Sequence, residues 1–234
     1  MPSPETPRTS GPAQLVELRR YELAPGAFDA FAEHFRANLV APQEALGMDI
    51  LGQFRVDGDP DRFVWIRRYL DPRGRGRALA TFYGGPVWGE HGPRANELMV
   101  DHTDVHLLVP DPSGPTFAAT GGLPSLATDA PAPPVIVALV EVDRPGGVPP
   151  DVGRAMADAL GRAPSVVELG RLVTAAVENA FPRLPVHDDA CAVWLITDRR
   201  DGDAAAGAAA TVGARTGRRV EVVRLRPLPG SRLC

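Results

Sequence analysis

Lysine is missing from this sequence: all 25 basic residues are arginine. Against 29 acidic residues they leave a net charge of −4. The arginines are interspersed with Asp and Glu and form no basic stripe, which excludes the electrostatic footprint of a nucleic-acid binder. Cysteine is almost missing too, with Cys191 inside the apolar run Ala190–Ile196 and Cys234 at the last position. Two such residues build no disulfide framework, and a reducing cytoplasm is the expected compartment. No run approaches the roughly 20 apolar residues that a membrane-spanning helix needs. Residues 1–12, MPSPETPRTSGP, lack the apolar core of a secretory signal and read as a disordered tail. What is abundant is Ala, Arg, Gly and Pro, the composition of a GC-rich bacterial genome. A bacterial, cytoplasmic protein with no nucleic-acid or membrane partner is expected.

The segment 111–133, rich in Pro, Gly, Ser, Thr and Ala, reads as a linker between units at 13–110 and 134–234. Both units show the order strand–helix–strand–strand–helix–strand, the split βαβ pattern of ferredoxin-like folds. In the first, strands are expected near 14–23, 48–56, 62–69 and 103–109. Phe28, Phe31, Phe35 and Leu39 recur at helical spacing. A second helical region, 75–99, must break near Gly84-Gly85-Pro86, because proline opens helices but interrupts their interiors. The second unit repeats the marks of the first. Pro145-Gly146 matches Pro25-Gly26, and Val193-Trp194-Leu195 matches Val64-Trp65-Ile66. It reads as a degenerate copy, giving an α+β fold of two tandem ferredoxin-like (βαββαβ) units.

The strand Glu17-Leu-Arg19-x-Tyr21, the turn Pro25-Gly26, the strand Phe63-Val-Trp65-Ile-Arg67 and the segment Tyr83-Gly-Gly-Pro-Val-Trp88 resemble the NIPSNAP family, a branch of the dimeric α/β-barrel superfamily. The resemblance spans about 14–109. Two later segments, Glu178–Pro185 and Leu225–Pro229, are similar to longer bacterial members. It implies that the two units pair within one chain into the barrel that single-unit relatives form as dimers. A homodimer of the whole chain stays open. The superfamily includes cofactor-free monooxygenases, polyketide cyclases and haem enzymes.

Strand alternation sorts side chains into faces. Val16, Leu18, Val64 and Ile66 share one face; Glu17, Arg19, Tyr21, Trp65, Arg67 and Tyr69 share the other. With the aliphatic face packed on helices, the polar set is expected inside the barrel. There Arg19, Tyr21, Trp65 and Arg67, with Tyr83 and Trp88, would bind a substrate. Glu17 and Arg19 with Arg67 would alternatively form a buried structural network. In the second unit Val137, Leu139 and Ile196 are read at the matching positions, leaving an apolar wall opposite one polar site. Such a pocket suits a largely apolar, oxygenated small molecule.

Glu17, His91 and His106 are the candidate catalytic groups, as carboxylate base and imidazole acid–base residues. His102 and His106 on one strand stand roughly 13 Å apart at about 3.3 Å per residue, too far to share an ion, so no metal site is expected. Cys191 reads as inert packing. Three functions remain. The first is a cofactor-free enzyme acting by proton transfer, cyclisation or monooxygenation. The second is a non-catalytic small-molecule-binding or protein-interaction module. The third is a haem protein using His91, His102, His106 or His187.

Overall fold

A computed structural model describes residues 14–70, 72–115, 132–198 and 203–233. The expected tail 1–12 lies outside these residues, as do Cys234 and positions 116–131 of the expected linker.

The first unit runs β1 (Leu15–Leu23), α1 (Phe28–Asn38), α2 (Val40–Glu44), β2 (Met48–Val56), β3 (Asp59–Tyr69), α3 (Arg75–Tyr83), α4 (Pro86–Leu98) and β4 (Met99–Pro110). The second runs β5 (Val135–Glu141), α5 (Pro150–Gly161), β6 (Val166–Thr174), β7 (Cys191–Asp198), α6 (Asp203–Thr216) and β8 (Val220–Pro227). The break between α3 and α4 falls where the glycines and Pro86 put it. Pro86 opens α4 at a position where a missing N–H costs nothing.

Eight antiparallel strands close a barrel in the order β1-β3-β2-β8-β5-β7-β6-β4. Each unit contributes four adjacent strands in the same relative order, so the chain is two ferredoxin-like units joined edge to edge. One seam pairs Phe54 with Pro227 and Val56 with Leu225. The other pairs Leu108 with Thr174 and Pro110 with Leu172. Closure leaves no open sheet edge, the usual liability of a four-stranded unit. Among the described residues, no helix is long and apolar enough to cross a membrane.

Three apolar clusters fix which face is which. One joins strands of both units and no helix: Val16, Leu18, Phe54, Val64 and Ile66 meet Val137, Leu139, Val193, Leu195 and Leu225. This is the barrel interior, a solid aliphatic core of the kind small barrels carry. Leu233, beyond β8, also packs into it. The second cluster places Tyr21, Trp65 and Tyr69 with Phe31, Phe35, Leu79 and Phe82 of the helices. The third does the same for the second unit, with Ile136, Ala138, Trp194 and Ile196 under α5 and α6.

The expected orientation of the polar face is therefore reversed. Glu17, Arg19, Tyr21, Trp65, Arg67 and Tyr69 do share a face, but that face lies under the helices. The aliphatic face turns inward because the only surface it meets there is the equally aliphatic inner face of the other unit. The cross-unit matching also shifts by one residue in β5. Arg19 pairs with Trp65 as Ala138 pairs with Trp194, and Glu17 pairs with Arg67 as Ile136 pairs with Ile196. The counterparts of Glu17 and Arg19 are thus Ile136 and Ala138, not Val137 and Leu139. Ile196 keeps its place opposite Arg67.

Candidate functional site

Beneath the helices of the first unit, Glu17 collects three arginines. Its Oε2 accepts hydrogen bonds from Arg19 Nη1 at 3.0 Å and Arg67 Nε at 2.6 Å. Its Oε1 accepts one from Arg75 Nε at 2.6 Å. All four side chains are at most 1% exposed. Arg19 follows Glu17 by two residues on β1, Arg67 stands opposite Glu17 on β3, and Arg75 reaches down from the first residue of α3. Burial by itself would raise the Glu17 carboxyl, but Arg67, Arg19 and Arg75 outweigh it and hold the group far below the usual carboxylate range. Glu17 is an ionised anchor, a poor proton acceptor.

One carboxylate against three guanidiniums leaves this layer strongly cationic. Gln43 Oε1 takes a second hydrogen bond from Arg67, at 2.7 Å, and Asn179 Oδ1 takes one from Arg75 Nη1, at 2.8 Å. Arg19 Nε donates to the Tyr21 hydroxyl at 2.8 Å. The Nη2 of each arginine and the Tyr69 hydroxyl are buried without a protein partner among the described residues. Trp65 receives both Arg19 and Arg67 near its ring, at 5.5 and 5.0 Å.

Above this layer lies a cavity of about 320 Å³. Tyr21, Gln43 and Trp65 form its floor, and Phe31, Phe35, Phe82, Tyr83 and Trp88 its aromatic walls. Asn96, His102 and Arg183 bring polar groups to it. Tyr21 is the link between the two levels. Its oxygen accepts from Arg19, so its own proton is directed away from that arginine. Burial raises its pKa, which keeps it a hydrogen-bond donor at neutral pH.

The wall on one side comes from the second unit. Phe181 stacks on Tyr83 with ring centroids 5.9 Å apart, and Leu184 is buried against the same cluster. The segment Glu178–Pro185 is thus a strap over the first unit's cavity. Asn179 secures it, accepting from Arg75 and from the Phe181 N–H and donating to the Leu184 carbonyl. The strap's backbone passes close to Gly76, where a Cβ would stand 2.9 Å from the Ala180 carbonyl oxygen. Gly76→Val is expected to lift the strap, at about 1–2 kcal/mol of local stability. Limited trypsin digestion after Arg183 would read this as roughly tenfold faster cleavage.

Four of the sequence-derived site residues, Tyr21, Trp65, Tyr83 and Trp88, meet at this cavity. Glu17, Arg19 and Arg67 lie under its floor. The other two candidates stand elsewhere. His91 is on α4, its carbonyl hydrogen-bonded to His34 Nε2 at 2.9 Å. His106 faces the barrel end. A bulge in β4, where Arg20 pairs with Asp104 but Glu22 with Asp101, puts His102 on the cavity side and His106 on the other. Of the five histidines, only His102 lines the cavity. Sequence patterning gives no sign of Gln43 or Arg75, and it marks Asn179 and Arg183 only as part of the Glu178–Pro185 segment. Arg75 and Asn179 are 104 residues apart, and no local pattern joins them.

Comparison with known proteins agrees with the architecture. Residues 16–115 match the model of the NIPSNAP family. Two solved structures span both units. One is a protein from Lactobacillus acidophilus provisionally described as a monooxygenase, 11% identical, covering 92% of this chain and 94% of its own, with a TM-score of 0.52. The other, from Fusobacterium nucleatum and described in the same way, is 8% identical, covers 92% and 93%, and has a TM-score of 0.51. An uncharacterized NIPSNAP-like domain protein from Burkholderia xenovorans is 29% identical over 44% of this chain and 89% of its own, with a TM-score of 0.40. A search of curated proteins returned no match.

Proposed function

Since this chain belongs, through its first unit, to the NIPSNAP family, we propose that the helix–sheet cavity of that unit binds a small, planar, largely apolar molecule carrying an acidic oxygen, and transforms it without a cofactor by proton transfer or oxygenation. The observation that carries this reading is the pairing of an aromatic cavity with the cationic layer of Arg19, Arg67 and Arg75 beneath it. Aromatic walls suit a flat ring system. The buried guanidiniums favour negative charge on the ligand at the floor, and Tyr21 conveys that preference by donating its proton to an oxygen there. Charge that develops in a low-dielectric site is where fixed donors have the largest effect. An enolate or phenolate is such a charge, and a carbon made electron-rich in this way is the species that cofactor-free oxygenation requires. His102 lines the same cavity and in this reading takes the proton.

A non-catalytic reading has its own support. Arg19, Arg67 and Arg75 each donate a hydrogen bond to Glu17, so their charge is partly spent inside the protein.

Titration with hydroxynaphthoic acid, followed through Trp65 and Trp88 fluorescence, is the first test. Tyr21→Phe should weaken binding about ten- to a hundredfold, the value of one hydrogen bond to a charged oxygen. Asn96→Trp should fill the cavity and abolish binding while the fold persists. Oxygen uptake or solvent-deuterium incorporation into bound substrate that is lost in His102→Ala marks the enzyme. Tight binding with neither signal, across enolisable aromatic acids, marks the binding module. Unchanged binding in both Tyr21→Phe and Asn96→Trp would remove the cavity from consideration.

A further inference from the structure

A second cluster lies at the end of the barrel, away from the aromatic cavity. Asp104 and His106 come from β4, and His187 comes from the loop between β6 and β7. Asp104 Oδ1 is 3.0 Å from His187 Nε2 and 3.7 Å from His106 Nε2. The three ligand atoms all lie within 4.8 Å of one another. The two imidazole rings stack with centroids 4.5 Å apart and planes 20° from parallel.

We propose that Asp104, His106 and His187 bind one divalent transition-metal ion of the zinc type. His106 provides the decisive observation. The residue is 8% exposed, and its Nε2 is buried with no hydrogen-bond partner among the described residues. That nitrogen points toward the same small space as Asp104 Oδ1 and His187 Nε2. A proton on His187 satisfies Asp104 and leaves His106 Nε2 unserved. A metal ion serves all three atoms. Metal–nitrogen and metal–oxygen bonds of about 2.0–2.2 Å bring ligand atoms to roughly 3.3 Å from each other, so on binding the stacked imidazoles must turn apart to aim both lone pairs at the ion.

The surroundings already hold the ligands in place. The His187 backbone N–H donates to the Val105 carbonyl at 2.8 Å, pinning the loop to β4 between the other two ligands. Arg20 Nε forms an ion pair with Asp104 Oδ2 at 2.9 Å, while Oδ1 is turned to the histidines. Glu221 in turn pairs with Arg20 and offsets its charge. His106 Nδ1 lies 3.6 Å from Cys191 Sγ, so the ring is supported from behind and presents Nε2 forward. Two imidazoles and one carboxylate suit zinc, cobalt or iron(II); magnesium and calcium favour all-oxygen sets. Three protein ligands leave a coordination position open. Asp104 also lines a polar cavity of about 340 Å³ with Arg20, Asp59, Arg62 and Glu221.

The test uses the full chain, treated with a chelator and desalted, then titrated with Co2+ while visible d–d absorption is recorded. Zn2+ follows by competition. One equivalent should bind with a Kd on the order of micromolar or tighter. His187 is partly exposed on a loop, so His187→Asn should keep the fold, as a thermal melt will verify, and weaken binding at least a hundredfold. His34→Asn, which alters the other histidine pair, should leave the titration unchanged. Absence of a d–d band in the unsubstituted protein at millimolar Co2+, or equal affinity in His187→Asn, would overturn the proposal.

Discussion

Glu17→Gln is expected to cost about 3–5 kcal/mol of stability, a large fraction of the roughly 5–15 kcal/mol that holds a domain folded. The amide keeps the shape of the carboxylate and removes its charge, leaving Arg19, Arg67 and Arg75 buried without their shared counterion. Denaturant titration of the variant measures the loss. The same linkage has a pH signature. The folded-state pKa of Glu17 is depressed below its ordinary value of 4.5, so its contribution is fully present above that pH. The contribution is lost progressively as pH falls toward the folded value. The unsubstituted protein should therefore weaken steadily below about pH 4.5, and the difference between it and Glu17→Gln should shrink over the same range. A second substitution set separates structure from function. The second unit fills the matching positions with Ile136, Ala138 and Ile196 and still packs under its helices. Glu17→Ile, Arg19→Ala, Arg67→Ile and Arg75→Leu together should then restore most of the stability, because a buried ionic cluster exchanged for apolar groups is often neutral. Ligand binding in the cavity should not return. A quadruple variant that folds and still binds hydroxynaphthoic acid with full affinity would show that the arginine layer has no part in the site.

Phe54→Ala is expected to cost about 3–5 kcal/mol as well, through a different cause. Phe54 is fully buried inside the barrel, at the seam where β2 pairs with β8. Its ring lies over Gly52, where a Cβ would approach the ring to 2.4 Å. Removing the ring leaves a void that Gly52, having no side chain, cannot help to fill. The measurement also distinguishes two views of the barrel. A ligand cavity would tolerate enlargement, with stability little changed. A filled core that joins the two units would not, and urea unfolding should shift to a lower midpoint as one cooperative transition. Because this core carries both units, Phe54→Ala should weaken the second unit's hydrogen-exchange protection as much as the first's.

The order of elements could be read from the chain because it depends on local signals. Pro86 after Gly84-Gly85 ends one helix and starts another wherever it stands. The matching Val-Trp strands reported two copies of one unit, and the alternation of Glu17, Arg19 and Tyr21 against Val16 and Leu18 reported two faces. The face that meets the helices could not be read in the same way. A period of two says which side chains travel together and nothing about what covers them. An aliphatic face packs equally well on helices or on another sheet, and the choice fell to the inner face of the second unit, far along the chain. The polar set was thereby turned under the helices, where the Glu178–Pro185 strap and Arg75 complete it. The one-residue slip in β5 and the bulge that parts His102 from His106 arose in the same way, from pairing between strands. Sequence by itself determined the elements, the duplication and, in β1 and β3, the company each residue keeps. Tertiary structure decided the location of the cavity, the partners of Glu17 and the meeting of His187 with Asp104 and His106. Those depend on contacts between segments distant in the chain, whose energies no local pattern encodes.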